Sequence, residues 1–234
     1  LLKGKKLSKK RNWLVNISDF NDWLISKEKK SLVMGILNVT PNSFSDGGIY
    51  FDTQKAINHA LSMIEDGADI IDIGGESTRP FSDPVSVDDE LSRVIPVIKG
   101  LRKKTDILIS IDTTKSTVAR EACSIGADII NDISGMLFDK KMIDIAKDIN
   151  CPIILMHIKG NPKNMQENPT YDDVISEIKS HLLSRADYAI ANGIDRKNII
   201  LDPGIGFGKT IENNFEILNR LEELTSTEYP FLIG

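Results

Sequence analysis

The sequence predicts an α/β fold, a (β/α)8 TIM barrel whose C-terminal units are missing from this chain. Three observations lead there. Apolar runs of strand length alternate with helical patterns, which implies a parallel sheet with right-handed crossovers. Each strand-like run is continuously apolar, as strands covered on both faces are. Polar residues cluster at the C-terminal end of each run, where barrel active sites sit. A doubly wound open sheet is the alternative. It would carry a Gly-rich dinucleotide turn after its first strand, and 38–48 is not G-x-G-x-x-G.

Taken in order, residues 1–31 read as a basic linker or N-terminal arm. Lys3, Lys5, Lys6, Lys9, Lys10 and Arg11 make its start a solvated tether. Trp13, Phe20 and Trp23 are expected to anchor the arm on the domain by burying aromatic area. The barrel is expected over 32–234, with strands at 32–39, 69–74, 107–111, 128–133, 152–156, 198–201 and 231–234. The spacing predicts helices over 53–66, 88–102, 115–125, 139–150, 171–192 and 213–224. Gly67, Gly126 and Gly193 stand at expected helix stops. The phrase Gly-Ala-Asp-Ile-Ile occurs at 67–71 and again at 126–130, so one helix-to-strand joint is expected twice. The chain starts with Leu and ends in an incipient strand, so the natural protein is expected to continue in at least one direction.

Composition narrows the function. The 234 residues are 41% hydrophobic, enough for a packed core, and carry a net charge of −5. That charge argues against a general nucleic-acid binder but leaves room for a small anionic ligand. No apolar run reaches the roughly 18 residues of a membrane span, and no signal peptide is visible. Cys123 and Cys151 lack metal spacing and read as buried free thiols of a reducing cytoplasm.

The run Met34-Gly-Ile-Leu-Asn38-Val-Thr40-Pro41-Asn42-Ser-Phe44-Ser-Asp46-Gly47-Gly48 is a strand emptying into a hydroxyl-rich loop. The later strands end in Gly74-Gly75-Glu76-Ser77-Thr78-Arg79-Pro80, Asp112-Thr113-Thr114, Asn131-Asp132, Met156-His157 and Asp202-Pro203-Gly204-Ile205-Gly206-Phe207-Gly208-Lys209. In a barrel all of these converge on one mouth. Asp112, Asn131 and Asp202 are short polar groups able to grip the N–H and C=O edges of a flat heterocycle. Arg79 and Lys209 suit an anion. Asn38 offers a neutral oxygen to Mg²⁺. Phe207 and Pro80 are apolar walls. Plainer readings stand beside these. Asp112 and Asp202 can be helix caps, Lys209 a solvated helix-entry lysine, and His157 a hydrogen-bonded structural group. Asp72 and Glu76 read as supports just behind the site or as anchors of the barrel interior. No Ser/His/Asp set with plausible ordering appears.

In order along the chain, these motifs resemble the signatures of the dihydropteroate synthases, from residue 32 to the end. The resemblance implies a barrel that condenses 6-hydroxymethyl-7,8-dihydropterin pyrophosphate with p-aminobenzoate, giving 7,8-dihydropteroate and pyrophosphate. It implies that Asp112, Asn131 and Asp202 hold the pterin, with Met156 lining its pocket, and that Asn38 meets Mg²⁺ and the diphosphate. Thr78, Arg79, Pro80 and Phe207 would shape the p-aminobenzoate and sulfonamide site, and Gly206 and Lys209 belong to the same substrate-binding loop. Asn38, Arg79, Asp112 and Asp202 are the expected catalytic groups. The loops at 38–48 and 77–84 are expected to close over the diphosphate and exclude water.

Two departures stand out. Phe81 replaces the small residue usual after Arg-Pro in this family. The family's Ser-Arg-Lys and Arg-x-His motifs, which follow the seventh strand, do not occur in these 234 residues. The basic arm suggests an upstream domain, which in some relatives is the hydroxymethyldihydropterin pyrophosphokinase. The family commonly forms homodimers through late barrel helices. Neither a nucleic acid nor a membrane is an expected partner. Two other functions remain in view: a methyltetrahydrofolate-type methyltransferase sharing the pterin set, and a non-catalytic pterin-binding module.

Overall fold

The computed structural model describes residues 17–40, 48–79 and 82–234. Six parallel strands run in sequence order: β1 (Met34–Asn38), β2 (Ile70–Gly74), β3 (Leu108–Asp112), β4 (Ile129–Asp132), β5 (Ile153–Met156) and β6 (Ile199–Asp202). The seventh predicted strand is represented by one parallel bridge from Phe231 to Leu201. Between the strands lie α2 (Gly48–Asp66), α3 (Val87–Arg102), α4 (Ser116–Ser124), α5 (Met142–Ile149) and α6 (Val174–Ala191). After β6 come α7 (Ile211–Asn219) and α8 (Leu221–Thr225). This is the consecutive, singly wound order of a barrel wall, as expected.

The strands form because their outward residues are β-branched or leucine and meet the helices. Ile71, Ile73, Ile109, Ile111, Ile130, Ile153, Leu155 and Leu201 are fully buried in that helix-facing core. Each such burial is worth roughly 1.5–3 kcal/mol. Helix ends follow local chemistry. Ser86 caps α3 by accepting from the Asp89 N–H at 3.1 Å, and Asp173 caps α6 by accepting from Ile175 and Ser176.

The repeated phrase is indeed one joint used twice. Gly67 and Gly126 end their helices at φ 111° and 121°, where a side chain is strained. Ala68 and Ala127 each donate back to the helix at 2.9 Å. Asp69 then accepts from the Val33 N–H, and Asp128 from the Ile109 N–H, both at 2.8 Å. Each joint thus pins the base of the preceding strand.

Helices α5 and α6 each begin three residues later than predicted, and two further boundaries differ more tellingly. Helix α2 begins at Gly48, ahead of the predicted 53. The helix predicted over 213–224 breaks at Arg220 (φ −109°, ψ 24°), whose guanidinium binds Glu216, Glu223 and Asp173. Hydrophobic spacing gives no sign of this break, because Ile217 and Leu224 are both buried.

The barrel interior is layered. At the base, Ile70, Leu108, Ile129, Ile154 and Ile200 form an apolar floor. The helix α1 (Ile17–Ile25) lies under that floor, with Phe20 and Leu24 buried and Phe20 stacked on Trp23 at 5.6 Å. Phe20 and Trp23 therefore anchor the arm as expected, while Trp13 lies outside the described residues. Above the floor come the buried polar residues Asp72 and Ser110, neighbours in register on β2 and β3. The top layer is the candidate site.

Candidate active site

Strand register builds the top layer. Asn38 pairs with Gly74, Gly74 with Asp112, and Asp112 with Asn131. Across the barrel, Met156 pairs with Asp202. These positions continue the inward-facing alternation of the floor residues two and four places earlier. Five sequence-predicted residues, Asn38, Asp112, Asn131, Met156 and Asp202, thus share one ring at the C-terminal mouth. Gly74 leaves the space between two of them open. A Cβ there would stand 3.1 Å from Asp112 Oδ2 and 3.6 Å from Asn38 Oδ1.

Neither aspartate is a helix cap. The first residue before α4 is Lys115 and the cap of α7 is Thr210. Asp202 instead accepts from the Gly204 N–H at 2.7 Å. Burial pushes the Asp202 carboxyl up to about 7, with the Gly204 N–H and the Lys209 charge pulling it back. Asp112 is raised well above the carboxylate range by burial first, then by the charges of Asp72, Glu90, Asp132 and Glu76. Asp72 is raised by burial, opposed by Ser110 and Asn131. Asn131 donates to Asp72 at 3.1 Å, which fixes its amide, while its buried Oδ1 has no protein partner. A free acceptor in a sealed layer is suited to a ligand N–H. Asp72 is thus the interior anchor expected of it.

Asp132, raised by burial to about 6, shapes the loop after β4. Its oxygens accept from Ser134 N and Oγ and from Met136 N at 2.7–2.9 Å. Phe207 packs on Met156, Ile133, Ile158 and Met165, forming the apolar wall of the ring. Gly206 is exposed at φ 83°, its N–H held by Asn214 at 2.9 Å.

The structure revises Lys209. It is neither a solvated helix-entry lysine nor an open cation for an anion. It is 2% exposed, and its ammonium donates to His157 Nδ1 (3.0 Å), Gly204 O (2.7 Å) and Phe207 O (2.9 Å). It braces the loop carrying Gly206 and Phe207. His157 is the hydrogen-bonded structural group expected, held neutral by burial with its pKa lowered to about 2.

On the other side of Asp112, a cavity of about 330 Å³ is lined by Ser77, Thr78, Thr113, Ile133 and Phe138, among others. Thr78 is half-buried there and Arg79 is exposed beside it. Ser82 Oγ ties that loop to Ser77 O and Arg79 O at 2.6 and 2.8 Å. Pro80, Phe81 and the expected lid residues 41–47 lie outside the described residues.

Sequence reasoning missed Lys115 and Glu90. Lys115 bridges Glu76 of the β2 loop and buried Glu90 of α3. Charged residues at helix starts look like ordinary solvated first turns, and only the tertiary fold places these three together.

The family model of pterin binding enzymes matches residues 34–234. The chain belongs to the pterin-binding enzyme family. Its relatives in that family include the dihydropteroate synthase of Bacillus subtilis, 51% identical over 210 residues, covering 90% of this chain and 71% of the relative. The dihydropteroate synthase of Synechocystis is 50% identical over 206 residues, covering 88% and 71%. Among solved structures, Yersinia pestis dihydropteroate synthase in complex with a sulfonamide drug superposes with a TM-score of 0.82 at 43% identity, covering 88% of this chain and 74% of that one. The Xanthomonas albilineans enzyme in complex with 7,8-dihydropteroate gives 0.78 at 40% identity, covering 88% and 72%.

Proposed function

We propose that this pterin-binding barrel is a dihydropteroate synthase, a transferase of folate biosynthesis and a sulfonamide target. It joins 6-hydroxymethyl-7,8-dihydropterin diphosphate to p-aminobenzoate. The observation that carries this reading is the single ring of Asn38, Asp112, Asn131, Met156 and Asp202 at the barrel mouth.

In this reading Asp112, Asn131 and Asp202 bind the pterin edge. The free Oδ1 of Asn131 and the carboxylates accept its N–H groups. Met156 covers its face, and Phe207, packed on Met156, walls the p-aminobenzoate side. The C–O bond to diphosphate breaks with both electrons leaving on oxygen. The remaining methylene cation is delocalised into the dihydropterin ring. Pterin N–H groups favour the ionised form of these carboxyls, and a carboxylate in low dielectric stabilises that positive charge. The aryl amine then gives its lone pair to the methylene carbon and loses a proton to solvent. No enzyme nucleophile is needed. Thr78 on the cavity wall and exposed Arg79, next to it in sequence, are placed to meet an anionic end of either substrate.

A metal fits this scheme modestly. Among the described residues no group of three or more His, Cys, Asp or Glu has metal-binding geometry. Asn38 supplies one exposed amide oxygen at the mouth. That donor set suits Mg²⁺ carried in on the diphosphate, since Mg²⁺ keeps several waters and takes few protein ligands. Asn38 would hold it there, and bound Mg²⁺ would neutralise charge on the departing diphosphate.

Among the described residues no helix is long and apolar enough to cross a membrane, and both cysteines are free thiols. A reducing cytoplasmic setting accords with those thiols. The deciding experiment follows pyrophosphate release on adding p-aminobenzoate to the pterin diphosphate and the intact protein. Stoichiometric release with 7,8-dihydropteroate is expected. Cobalamin-dependent methyl transfer instead would overturn the reading.

A further inference from the structure

From the bridge across the barrel rim we infer that Lys115 is a positioning residue: held between Glu76 and Glu90, it sets the β2 loop, with Thr78 and Arg79, against Asp112. This rests on the functional reading above for its substrates, and on geometry alone for the bridge.

Glu76 and Lys115 come from different loops. Glu76 precedes Thr78 by two residues, and Lys115 follows Asp112 by three. Both line the same cavity as Thr78 and Asp112. The Lys115 ammonium meets Glu76 Oε2 directly and Glu90 Oε2 at 2.6 Å. Glu90 is 0% exposed and sits on α3, a rigid helix packed against the strands. The bridge therefore ties two loops to one fixed post.

The post is well seated. Arg93 of α3 donates to Gly75 O at 2.7 Å. A Cβ on Gly75 would lie 2.8 Å from Val94 Cγ1, so the start of the loop is pressed onto that helix. Glu76 Oε1 also accepts from the Val85 N–H at 3.3 Å, holding the far end of the same loop. Between Glu76 and Val85, among the described residues, Ser82 binds Ser77 and Arg79 of the loop itself and Asp83 meets exposed Lys163 at 3.4 Å. Without Lys115, Glu76 loses its described link to the β3 loop, and Glu90 loses the cation it is paired with among the described residues. Burial opposes the Lys115 charge, but the two carboxylates outweigh it and raise its pKa, so it stays protonated at neutral pH. One cation between two acids thus fixes the distance from the p-aminobenzoate loop to the pterin aspartate. Misplacing a reacting group by about 1 Å can cost on the order of a hundredfold in rate.

The test uses the intact protein and three variants: Lys115→Met, Lys115→Arg, and Lys115→Met with Glu90→Gln. The double variant removes the buried charge that Lys115→Met alone would strand, so it keeps a folded comparison. Amide exchange over residues 76–85 is measured without ligand, and KM and kcat with both substrates. In Lys115→Met and in the double variant, exchange across 76–85 is expected to rise about tenfold while β2 and β3 keep wild-type protection. The KM for p-aminobenzoate is expected to rise about tenfold, with pterin diphosphate affinity changed by less than about threefold. Lys115→Arg is expected to remain near wild type in both measurements. Wild-type exchange across 76–85 in the double variant, or an equal loss of affinity for both substrates, overturns the proposal. Wild-type protein that releases no pyrophosphate overturns the functional reading instead, and the exchange data then decide the bridge alone.

Discussion

The Lys209 ammonium lies 3.0 Å from His157 Nδ1, joining the end of β5 to the loop after β6 inside the barrel mouth. His157 is held neutral, so its Nδ1 accepts and Lys209 donates. Burial lowers the Lys209 pKa to about 7, offset in part by Asp202. The pair acts on the substrates through the backbone it holds. Gly204 O accepts from Lys209, and Gly204 N–H donates to Asp202.

Lys209→Met is therefore expected to destabilise the protein and weaken pterin binding together. It removes the donor to the Gly204 and Phe207 carbonyls. Buried groups left unpaired cost about 1–3 kcal/mol each. Denaturant unfolding measures the first effect and equilibrium binding of the pterin diphosphate the second. Pterin affinity equal to wild type in the folded variant would show that the brace does not reach Asp202.

Asp112→Asn and Asp202→Asn are each expected to lower pterin affinity or turnover by more than about tenfold, the loss of one charged hydrogen-bonding group. Each keeps its shape while exchanging an acceptor for a donor that faces the ligand's N–H. Both chains are expected to remain folded, because neither carboxylate caps a helix. Isothermal titration with the pterin diphosphate measures the change, and wild-type kinetics in both variants would refute the ring as the pterin site.

The pH dependence follows from Asp202. Its pKa of about 7 in the folded state lies above the value of 3.8 it has when exposed. The folded, ligand-free protein therefore holds this proton more tightly than the unfolded chain. The stabilisation is complete below about 3.8 and is lost as pH rises through about 7. Lys209 has the opposite sign of shift. Its penalty is present below about 7 and is relieved as pH rises toward 10.5. A ligand N–H favours ionised Asp202, so binding is expected to release a proton and to weaken about tenfold per pH unit below about 7. Calorimetry at pH 6 in buffers of different ionisation enthalpy reads the proton directly, and Asp202→Asn is expected to reduce the release to the share that Asp112 contributes.

What was legible in the sequence divides along physical lines. The strands showed because Ile71, Ile73, Ile109, Ile111 and Ile130 face helices and keep that side of each run apolar, while Asp72 and Ser110 interrupt the runs only on the barrel side. The ring showed because Asn38, Asp112, Asn131 and Asp202 end those runs, and a parallel barrel brings strand ends together. Lys115 and Glu90 did not show, since a charge at a helix start is ordinary until the fold sets it opposite two others. Lys209 was misleading for the same reason, because no local pattern distinguishes a solvated lysine from one turned inward against His157. At the Arg220 break one guanidinium meets three carboxylates, Asp173 among them from the start of α6, and spacing within one helix does not record that.

Asn38 carries the last prediction. It is the one member of the ring on β1, exposed at the mouth, and Gly74 keeps the space between it and Asp112 clear. Its amide oxygen is neutral, so it adds no charge that would repel a diphosphate. If it holds Mg²⁺ on the diphosphate, Asn38→Ala should raise the Mg²⁺ concentration needed for half-maximal rate while leaving pterin binding without metal unchanged. The loss of a single neutral oxygen ligand among several waters is expected to cost about tenfold in apparent metal affinity. Chelation should silence both proteins, and Mg²⁺ should restore the variant only at the higher concentration. Identical Mg²⁺ titrations of the two would place the metal on the diphosphate alone, and would leave Asn38 as a hydrogen-bonding group for the substrate.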